Sequence, residues 1–416
     1  MVEAVDVIVG LGFGDETKGA TVSYLVEKNK HRRPLVVRFS GGPQTLHHTV
    51  LEDGTVHGFS QFGSGTFSDA PTVHTRFSLI NPLNMVKEAN HLQTLTDIDP
   101  LYSTIISENS PLVTPLHTQV NKKREILRGN NPHGSCGEGI GETMAYYVSY
   151  PDDTPLMGDL ERPDVLQGKL ELFAERLEAE VGEFCFGHIE DIVNDLKRVK
   201  QERAFNVVSD EWINTHLARQ EYLVFEGTQG ALLDEWNGFH PHTTWATTTS
   251  ENALTVIEEA GIDVKPRILG VTRTYHTRHG YGPFPSENMD YLTKYPEKHN
   301  KTGRWQGDWR AGPLDITLLD YAVRVNEGID EVVISHCDRE ITEYARTPIN
   351  LPVVGTLQDI DEQERELTQP LTELYGKSEL IPVSDTDEML DIIQDVVEAP
   401  IAIKAYGERI DQREGE

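Results

Sequence analysis

Residues Val5 to Gly19 read VDVIVGLGFGDETKG, and the fold turns on this stretch. Val5, Val7, Ile8 and Val9 make a short apolar run that fits a strand buried on both faces, as in a parallel sheet. Glycines follow at once. Gly10, Gly12 and Gly14 allow a tight turn and a close approach of backbone to a ligand, and Lys18 falls where an opening helix would set its ammonium beside a phosphate. Asp15 stands in the same turn. A phosphate cradle ordinarily avoids a carboxylate, because the two repel, so a carboxylate here implies a bridging cation or work as a base. Two standard motifs fail. The Walker pattern GxxxxGK[ST] is broken by Thr17-Lys18-Gly19, and GxGxxG is met by Gly12 and Gly14 with Thr17 in place of the last glycine. On these residues alone, a ligand-free strand-to-helix turn stands open beside a phosphate loop.

The chain has 416 residues, long for one domain yet within the range of large α/β enzymes carrying insertions. Its 37 Lys and Arg against 68 Asp and Glu give a formal net charge of −31, which argues against nonspecific affinity for nucleic acid or an anionic membrane. A small anionic ligand must then be captured by local cationic groups. Cys136, Cys185 and Cys337 are widely spaced without a CxxC, so neither a disulfide framework nor a cysteine zinc site is expected. With no signal-peptide layout and no run of about 18 apolar residues, a soluble, cytoplasmic protein is the expectation.

Ala20 to Lys30 reads as a helix and Leu35 to Phe39 as the next strand, a βαβ start. The loop SGGPQTLHHTV follows, with Gly41-Gly42-Pro43 as its turn and His47-His48 at its far end; adjacent histidines suit metal ligation poorly. Phe77 to Leu95 has helical periodicity, and GNNPHGSCGEGIGET from Gly129 reads as a binding loop. Leu166 to Arg203 reads as a solvated pair of helices without chemistry.

Tyr222 to Phe225 is a further buried strand ending in Glu226-Gly227-Thr228-Gln229-Gly230, the kind of position where open α/β sheets put ligands. The Gln229 amide offers both a donor and an acceptor, as a purine edge requires. Ile268 to Val271 is another strand, followed by TRTYHTRHGYGPFP and then KTGRWQGDWRAGPLD, whose Arg273, Arg278, Arg304 and Arg310 suggest capture of carboxylate or phosphate. Glu331 to Ile334 is a strand ending in Ser335-His336-Cys337-Asp338, where Asp338 could read a guanine edge or cap a helix. The tail beyond Ile401-Ala402-Ile403 is expected to fray. Taken together, the expectation is one large α/β domain over residues 1–416, with a mostly parallel central sheet flanked by helices. The loops after Val9, Phe39, Phe225 and Ile334 should converge at its carboxyl edge.

In order along the chain, these motifs resemble the adenylosuccinate synthetase family, GTP-dependent ligases of purine synthesis with a fold related to the P-loop NTPases. The family core GDEGKG is similar to Gly14-Asp15-Glu16-Thr17-Lys18-Gly19, its GG followed by four residues and a histidine to Gly41, Gly42 and His47, and FEGAQGTLLD to Phe225–Asp234. YTTRVGAGPFPTE is similar to Tyr275–Glu287, and the TGR…RxGxLD stretch to Thr302–Asp315.

The resemblance implies a reaction. Asp15 takes the N1 proton of IMP so that O6 attacks the γ-phosphate of GTP, His47 supports the departing phosphate, and the amine of L-aspartate then displaces phosphate from C6 to give adenylosuccinate. It also implies Lys18 as a third catalytic residue. Mg²⁺ would be held by Asp15 and the carbonyl of Leu46, and the acceptor nucleotide by Gln229, Thr244, Ser135, Cys136 and Arg304. Aspartate would fall to Thr302, Arg304 and Arg310. GTP would fall to Gly14, Glu16, Thr17, Lys18, Gly19, His48, Arg310, Ser335, His336, Asp338 and Gly407. A homodimer is implied as well.

The chain departs from the pattern at Leu46 for glycine, His48 for threonine, Ser135-Cys136 for paired threonines, His336 for lysine, and Ala405-Tyr406-Gly407-Glu408 for the terminal Ser-x-Gly-Pro. The arginine that a second subunit supplies in the family has no evident match. A ligase adding aspartate to a guanine nucleotide is the sibling reading, although that group replaces the catalytic Asp by Ser. A silent nucleotide-binding homologue is the third.

Overall fold

Ala4–Gly10 is the central strand, with Tyr222–Glu226 on one side and Arg267–Arg273 on the other, both parallel to it. The computed structural model describes residues 2–415 apart from 130–133, 183–186, 204, 299, 301, 304 and 354–358. From one edge, the 10-stranded sheet runs Arg413–Gly415, Ile401–Ala405, Glu331–Ser335, Arg267–Arg273, Ala4–Gly10, Tyr222–Glu226, Leu35–Arg38, Thr72–His74, Thr104–Ser107, Asn206–Val208. Every neighbouring pair is parallel except the first, which is antiparallel.

The continuous apolar run of the first strand is explained by what covers it. Val5, Val7 and Val9 pack on one face with Ile213 and Leu217 of the Asp210–Leu217 helix and Ala253, Val256 and Ile257 of the Glu251–Glu259 helix. Ile8 points to the other face, where Val22, Leu25 and Val26 of the Lys18–Lys28 helix meet it. With helices on both faces, neither side of the strand tolerates polar residues, so the alternation typical of a half-buried strand is absent.

After the first strand, the chain winds outward through Leu35–Arg38, Thr72–His74, Thr104–Ser107 and Asn206–Val208. It then returns to insert Tyr222–Glu226 beside the centre and winds the opposite way. The reversal lies at the central strands, where the loops at their carboxyl ends part and leave a crevice. Because the strands are parallel, the loops after Val9, Phe39, Phe225 and Ile334 all emerge at this edge, as expected.

Four local expectations change. The tail does not fray: Arg413–Gly415 pairs antiparallel with Ile401–Ala405, and Gly415 O accepts from Tyr24 Oη at 3.1 Å. Short charged strands suit an edge, which explains why the sequence reads as a loose end. The helices Pro163–Val181 and Ile189–Arg203 are not solvated all round; Leu166, Leu170, Phe173 and Leu177 of the first and Ile192, Val193 and Leu196 of the second enter a core cluster. Helix begins only at Pro82, not Phe77, because Asn81 caps it by accepting from the Asn84 N–H and proline suits the first turn. The glycine-rich loop ends at Gly139, and Ile140–Ser149 is helical; its Asn130 to His133 part lies outside the described residues.

Candidate active site

The phosphate-loop residues sit directly beyond the central strand in strained backbone. Asp15 has φ 62° and Thr17 φ 80°, and across the crevice Gln229 has φ 45° and His336 φ 62°. Left-handed backbone costs a non-glycine residue roughly 1–3 kcal/mol, most for a β-branched one, and such residues gather where function dictates geometry. Glu16 is turned inward and is 3% exposed. Its Oε1 accepts from the Gly14 N–H at 2.7 Å and its Oε2 from Lys18 Nζ at 2.6 Å. A Cβ on Gly10 or on Gly230 would lie 2.5 Å from a Glu16 oxygen, so these glycines make room for this carboxylate. Lys18 therefore has its charge already paired within the chain, and Glu16 acts on the loop from within.

His47 and His48 part company as neighbours on a strand must. The strand His47–Val50 pairs antiparallel with Val56–Phe59. His47 turns inward at 8% exposure, while His48 is half-buried on the opposite side. A Cβ on Gly19 would overlap His47, so the glycine at the helix start is what brings this ring against the phosphate loop. His47 Nδ1 is 2.6 Å from Glu226 Oε1. Glu226 is fully buried and also accepts from Ser64 N at 3.0 Å and from the Ser64 hydroxyl.

Burial alone would raise the Glu226 pKa, but the Arg38 guanidinium, His47 and Ser64 hold it down to about 2. Burial pushes His47 below its ordinary value, against the pull of Glu226. The ionised carboxylate thus fixes the ring proton on Nδ1 and leaves Nε2 as the acceptor nitrogen. Glu226 was not singled out from the sequence; a carboxylate at the very end of a buried strand was the available signal.

Several buried polar atoms on these loops lack a partner among the described residues: Thr17 Oγ1, both amide atoms of Gln44, Thr45 Oγ1, Gln229 Oε1, His279 Nδ1 and Trp309 Nε1. Gln229 is among them. Leaving a buried polar group unpaired costs about 1–3 kcal/mol, so Gln44 and Gln229, each beside a glycine turn at a strand's carboxyl end, are candidates for contact with a ligand. Gln44 is a second amide that the sequence reading passed over, although it directly follows the Gly41-Gly42-Pro43 turn. Thr244 is half-buried, with its N–H donating to Leu233 O at 2.8 Å. Ser135 Oγ accepts from Asn121 Nδ2 at 3.0 Å, which ties its loop to the Pro115–Leu127 helix. Burial pushes the adjacent Cys136 thiol up to about 12, so it is no nucleophile.

The arginines expected to wait for carboxylate or phosphate are largely engaged. Arg273 donates to Asp15 O at 2.7 Å and to Glu297 Oε1 at 2.5 Å. Arg278, 1% exposed, donates to Tyr281 O, Pro283 O and His242 O at 3.0, 2.8 and 3.3 Å. Arg310 donates to Gly280 O and Gly282 O, both at 3.0 Å, and pairs with Glu287 Oε2 at 2.6 Å. A buried guanidinium has to find acceptors within the chain, and the glycine turn from Gly280 supplies carbonyls for two of them. Arg273 and Arg278 thus brace the loops. Arg310 borders the loop of Thr302, whose hydroxyl donates to Asp308 Oδ1 at 3.1 Å; Arg304 lies outside the described residues.

At the far side, Ser335 Oγ donates to Glu16 O at 3.2 Å and so ties this loop to the phosphate loop. Burial, then Arg273, drives the neighbouring His336 well below its ordinary pKa, so its ring is neutral. The Asp338 side chain is 35% exposed, 3.7 Å from Arg339 Nε. It therefore waits in partial contact with water rather than buried. Gly407 leaves no room for a Cβ beside the Gln412 amide.

For Mg²⁺, the donor set fits in kind. Among the described residues no cluster of three or more His, Cys, Asp or Glu could hold a metal on its own. The Asp15 carboxylate accepts no hydrogen bond among them, and His279 Nε2 lies 3.8 Å from its Oδ2. One carboxylate, completed by a carbonyl such as that of Leu46, water and substrate phosphates, is what Mg²⁺ takes, in contrast to an all-protein cage.

Comparison with known proteins gives these positions a family. The sequence profile of adenylosuccinate synthetase matches residues 7–351. The adenylosuccinate synthetase of Christiangramia forsetii is 29% identical over 439 aligned positions, covering 97% of this chain and 98% of that protein. That of Chlorobium limicola is 32% identical over 361, covering 80% and 76%. Among solved structures, fully ligated adenylosuccinate synthetase from Plasmodium falciparum superposes with a TM-score of 0.78 at 19% identity, covering 99% of each chain. The cyanophage S-2L succinoaminodeoxyadenylate synthetase, bound to dGMP and to dATP as an energy donor, gives 0.65 at 18%, covering 100% of this chain and 96% of that one. With its doubly wound sheet, its aspartate-bearing phosphate loop and a profile match over most of its length, the chain belongs to the adenylosuccinate synthetase family.

Proposed function

We propose that the protein joins L-aspartate to C6 of a 6-oxopurine nucleotide at the expense of GTP, with IMP giving adenylosuccinate. The observation that carries this reading is the grouping of Asp15, Lys18 and the His47–Glu226 pair at one sheet edge, where the described residues offer no partner to the buried amide atoms of Gln44 or to Gln229 Oε1.

Asp15 accepts the proton from N1, which places negative charge on O6, and O6 attacks the γ-phosphate as GDP leaves. Lys18 and the N–H groups of the glycine loop receive the phosphates. Mg²⁺, held by Asp15 and the Leu46 carbonyl, would neutralise phosphate charge. His47, oriented by ionised Glu226, presents Nε2 to the transferred phosphoryl group and, once protonated beside that anion, donates to it as it departs. The amine of aspartate attacks C6, phosphate leaves, and the amine proton is released. Gln44 and Gln229 hold the acceptor, with Thr244, Ser135 and the backbone at Cys136 beside them. Thr302, Arg304 and Arg310 take the carboxylates of aspartate. A cytoplasmic homodimer is part of the same reading.

The test is purified protein with Mg²⁺, aspartate, GTP or ATP and a panel of purine nucleotides, with the product identified by mass spectrometry. The expected result is adenylosuccinate, GDP and phosphate in equal amounts; no aspartyl adduct from any 6-oxopurine nucleotide sinks the reading. On the donor side, Asp338 accepts from guanine N1–H and N2–H₂, whereas adenine N1 turns a lone pair toward it. An unsatisfied carboxylate covered by the base costs roughly 1–3 kcal/mol, so kcat/KM should favour GTP over ATP by about ten- to a hundredfold. Asp338→Asn should shrink that margin, and equal use of both donors by the wild type removes Asp338 from the role.

A further inference from the structure

The acceptor nucleotide brings a charge for which the reading above names no partner. Gln44, Gln229, Thr244, Ser135 and the backbone at Cys136 are all uncharged. A 5′-phosphate bears about −1.5 to −2 near pH 7, and the chain around it carries a net charge of −31. Lys18 serves the phosphates of the donor, and Arg304 and Arg310 take the carboxylates of aspartate. With the base held at Asp15 and Gln229, the far end of the nucleotide is what the loop of Ser135 and Cys136 is left to meet. That loop is fastened to one face of the Pro115–Leu127 helix. Thr118 Oγ1 donates to Glu138 O at 3.2 Å, and the Asn121 side chain donates to Ser135 Oγ at 3.0 Å and accepts from the Gly139 N–H at 3.3 Å. Lys122 follows Thr118 by four residues and so shares this face.

We propose that Lys122 binds the 5′-phosphate of the acceptor nucleotide, an assignment that rests on the C6-ligation reading. A Cβ on Gly137 would lie 3.5 Å from Lys122 Cε, so the end of the lysine side chain stands beside the residue that follows Cys136. Lys122 is half-buried and makes no hydrogen bond or ion pair among the described residues. Its neighbours on the helix are engaged: Arg124 pairs with Glu142 and Glu180, and Arg128 with Glu125. Glu138, the carboxylate closest along the loop, turns elsewhere, its Oε2 accepting from Asn84 Nδ2 at 3.3 Å. In a chain with 68 acidic residues, a half-buried ammonium that has found none of them is set apart from a lysine that merely solvates a helix. A phosphate at the Ser135 and Cys136 backbone supplies the missing anion, and an ammonium with three donors suits phosphate oxygens as a point charge.

The experiment titrates IMP against inosine, and GMP against guanosine, by calorimetry with the wild type, Lys122→Met and Lys122→Arg, and measures kcat and KM for the accepted nucleotide and for aspartate. Methionine keeps much of the stem and removes the charge. Kd and KM for the nucleotide should rise about ten- to thirtyfold, while Kd for the nucleoside, kcat and KM for aspartate stay within about twofold. Arginine restores a cation and should recover most of the loss. An equal weakening of nucleotide and nucleoside, which a merely structural lysine would give, overturns the inference and leaves the ligation reading standing. So does a nucleotide Kd unmoved in Lys122→Met, or a rise in KM for aspartate alone, which would place the ammonium on the other substrate. No aspartyl adduct from any nucleotide with the wild type removes the ligation reading itself, and the inference with it.

Discussion

Asp15→Asn lowers turnover by about 10²- to 10⁴-fold, the usual cost of removing a positioned base, and leaves the fold as stable as before. The second half of this expectation comes from the backbone. Asp15 sits at φ 62°, a region that asparagine tolerates as well as aspartate does. Its main-chain oxygen, not its carboxylate, takes the Arg273 hydrogen bond that ties the loop to the next strand. The amide keeps the side-chain volume and loses only the charge that, in the proposed mechanism, takes a proton and would bind Mg²⁺. Thermal unfolding should therefore coincide with wild type while kcat collapses; a kcat within about threefold of wild type would remove Asp15 from the chemistry. His47→Ala should be similarly severe and His48→Ala mild, because strand alternation buries only the first ring against Glu226. The reverse order would mean that the ring facing the crevice is the other one.

The elements legible in the sequence are those whose signal is local. Val5 to Val9 betray a strand because burial on both faces excludes polar residues, and Gly10 to Lys18 betray a loop because glycine spacing dictates the turn. Asp15, Lys18 and His47 could be placed from such patterns together with the family strings. The pairing of His47 with Glu226 could not, since the two are 179 residues apart and lie in different sheets, so that only the tertiary fold brings them together. The arginines mislead for the opposite reason. Their clustering on glycine loops is real, but the sequence does not say whether their acceptors are a ligand or the loop's own carbonyls, and for Arg278 they are carbonyls. Glu16 looks like a phosphate-loop residue reaching outward and is instead folded beneath the glycines, because the ammonium of Lys18 is the nearest partner for its charge.

Stability should fall steeply between pH 7.5 and 5.5. His74, His117 and His276 are 2%, 0% and 4% exposed, and burial pushes each down to about 3, helped at His74 by the Arg38 charge. Both ring nitrogens of His74 lack partners among the described residues, so a proton added there finds no acceptor. In His117 and His276, Nδ1 accepts from the Thr114 and Asp315 N–H at 3.1 and 3.3 Å, so the neutral ring holds its proton on Nε2 and a second proton would have to displace that bond. A folded-state pKa below the unfolded value means stability that is complete above about 6.5 and is lost as pH falls toward the folded pKa, because only the unfolded chain binds the proton. Each group contributes a slope approaching about 1.4 kcal/mol per pH unit, so three together cost about 4 kcal/mol one unit below 6.5, against a total of about 5–15 for a typical domain. Glu226 joins only later, from 4.5 downward, because its folded value is held near 2. The net charge of −31 acts in the opposite sense, since protonation relieves self-repulsion. Urea unfolding in about 1 M salt, where the Debye length is about 3 Å, suppresses that contribution and isolates the histidines. A midpoint that stays flat from pH 7.5 to 5.5 under those conditions would show that these rings are already reached by water. If they are as dry as the packing indicates, His74→Gln should flatten the slope by the share of one group, whatever it costs in stability at neutral pH.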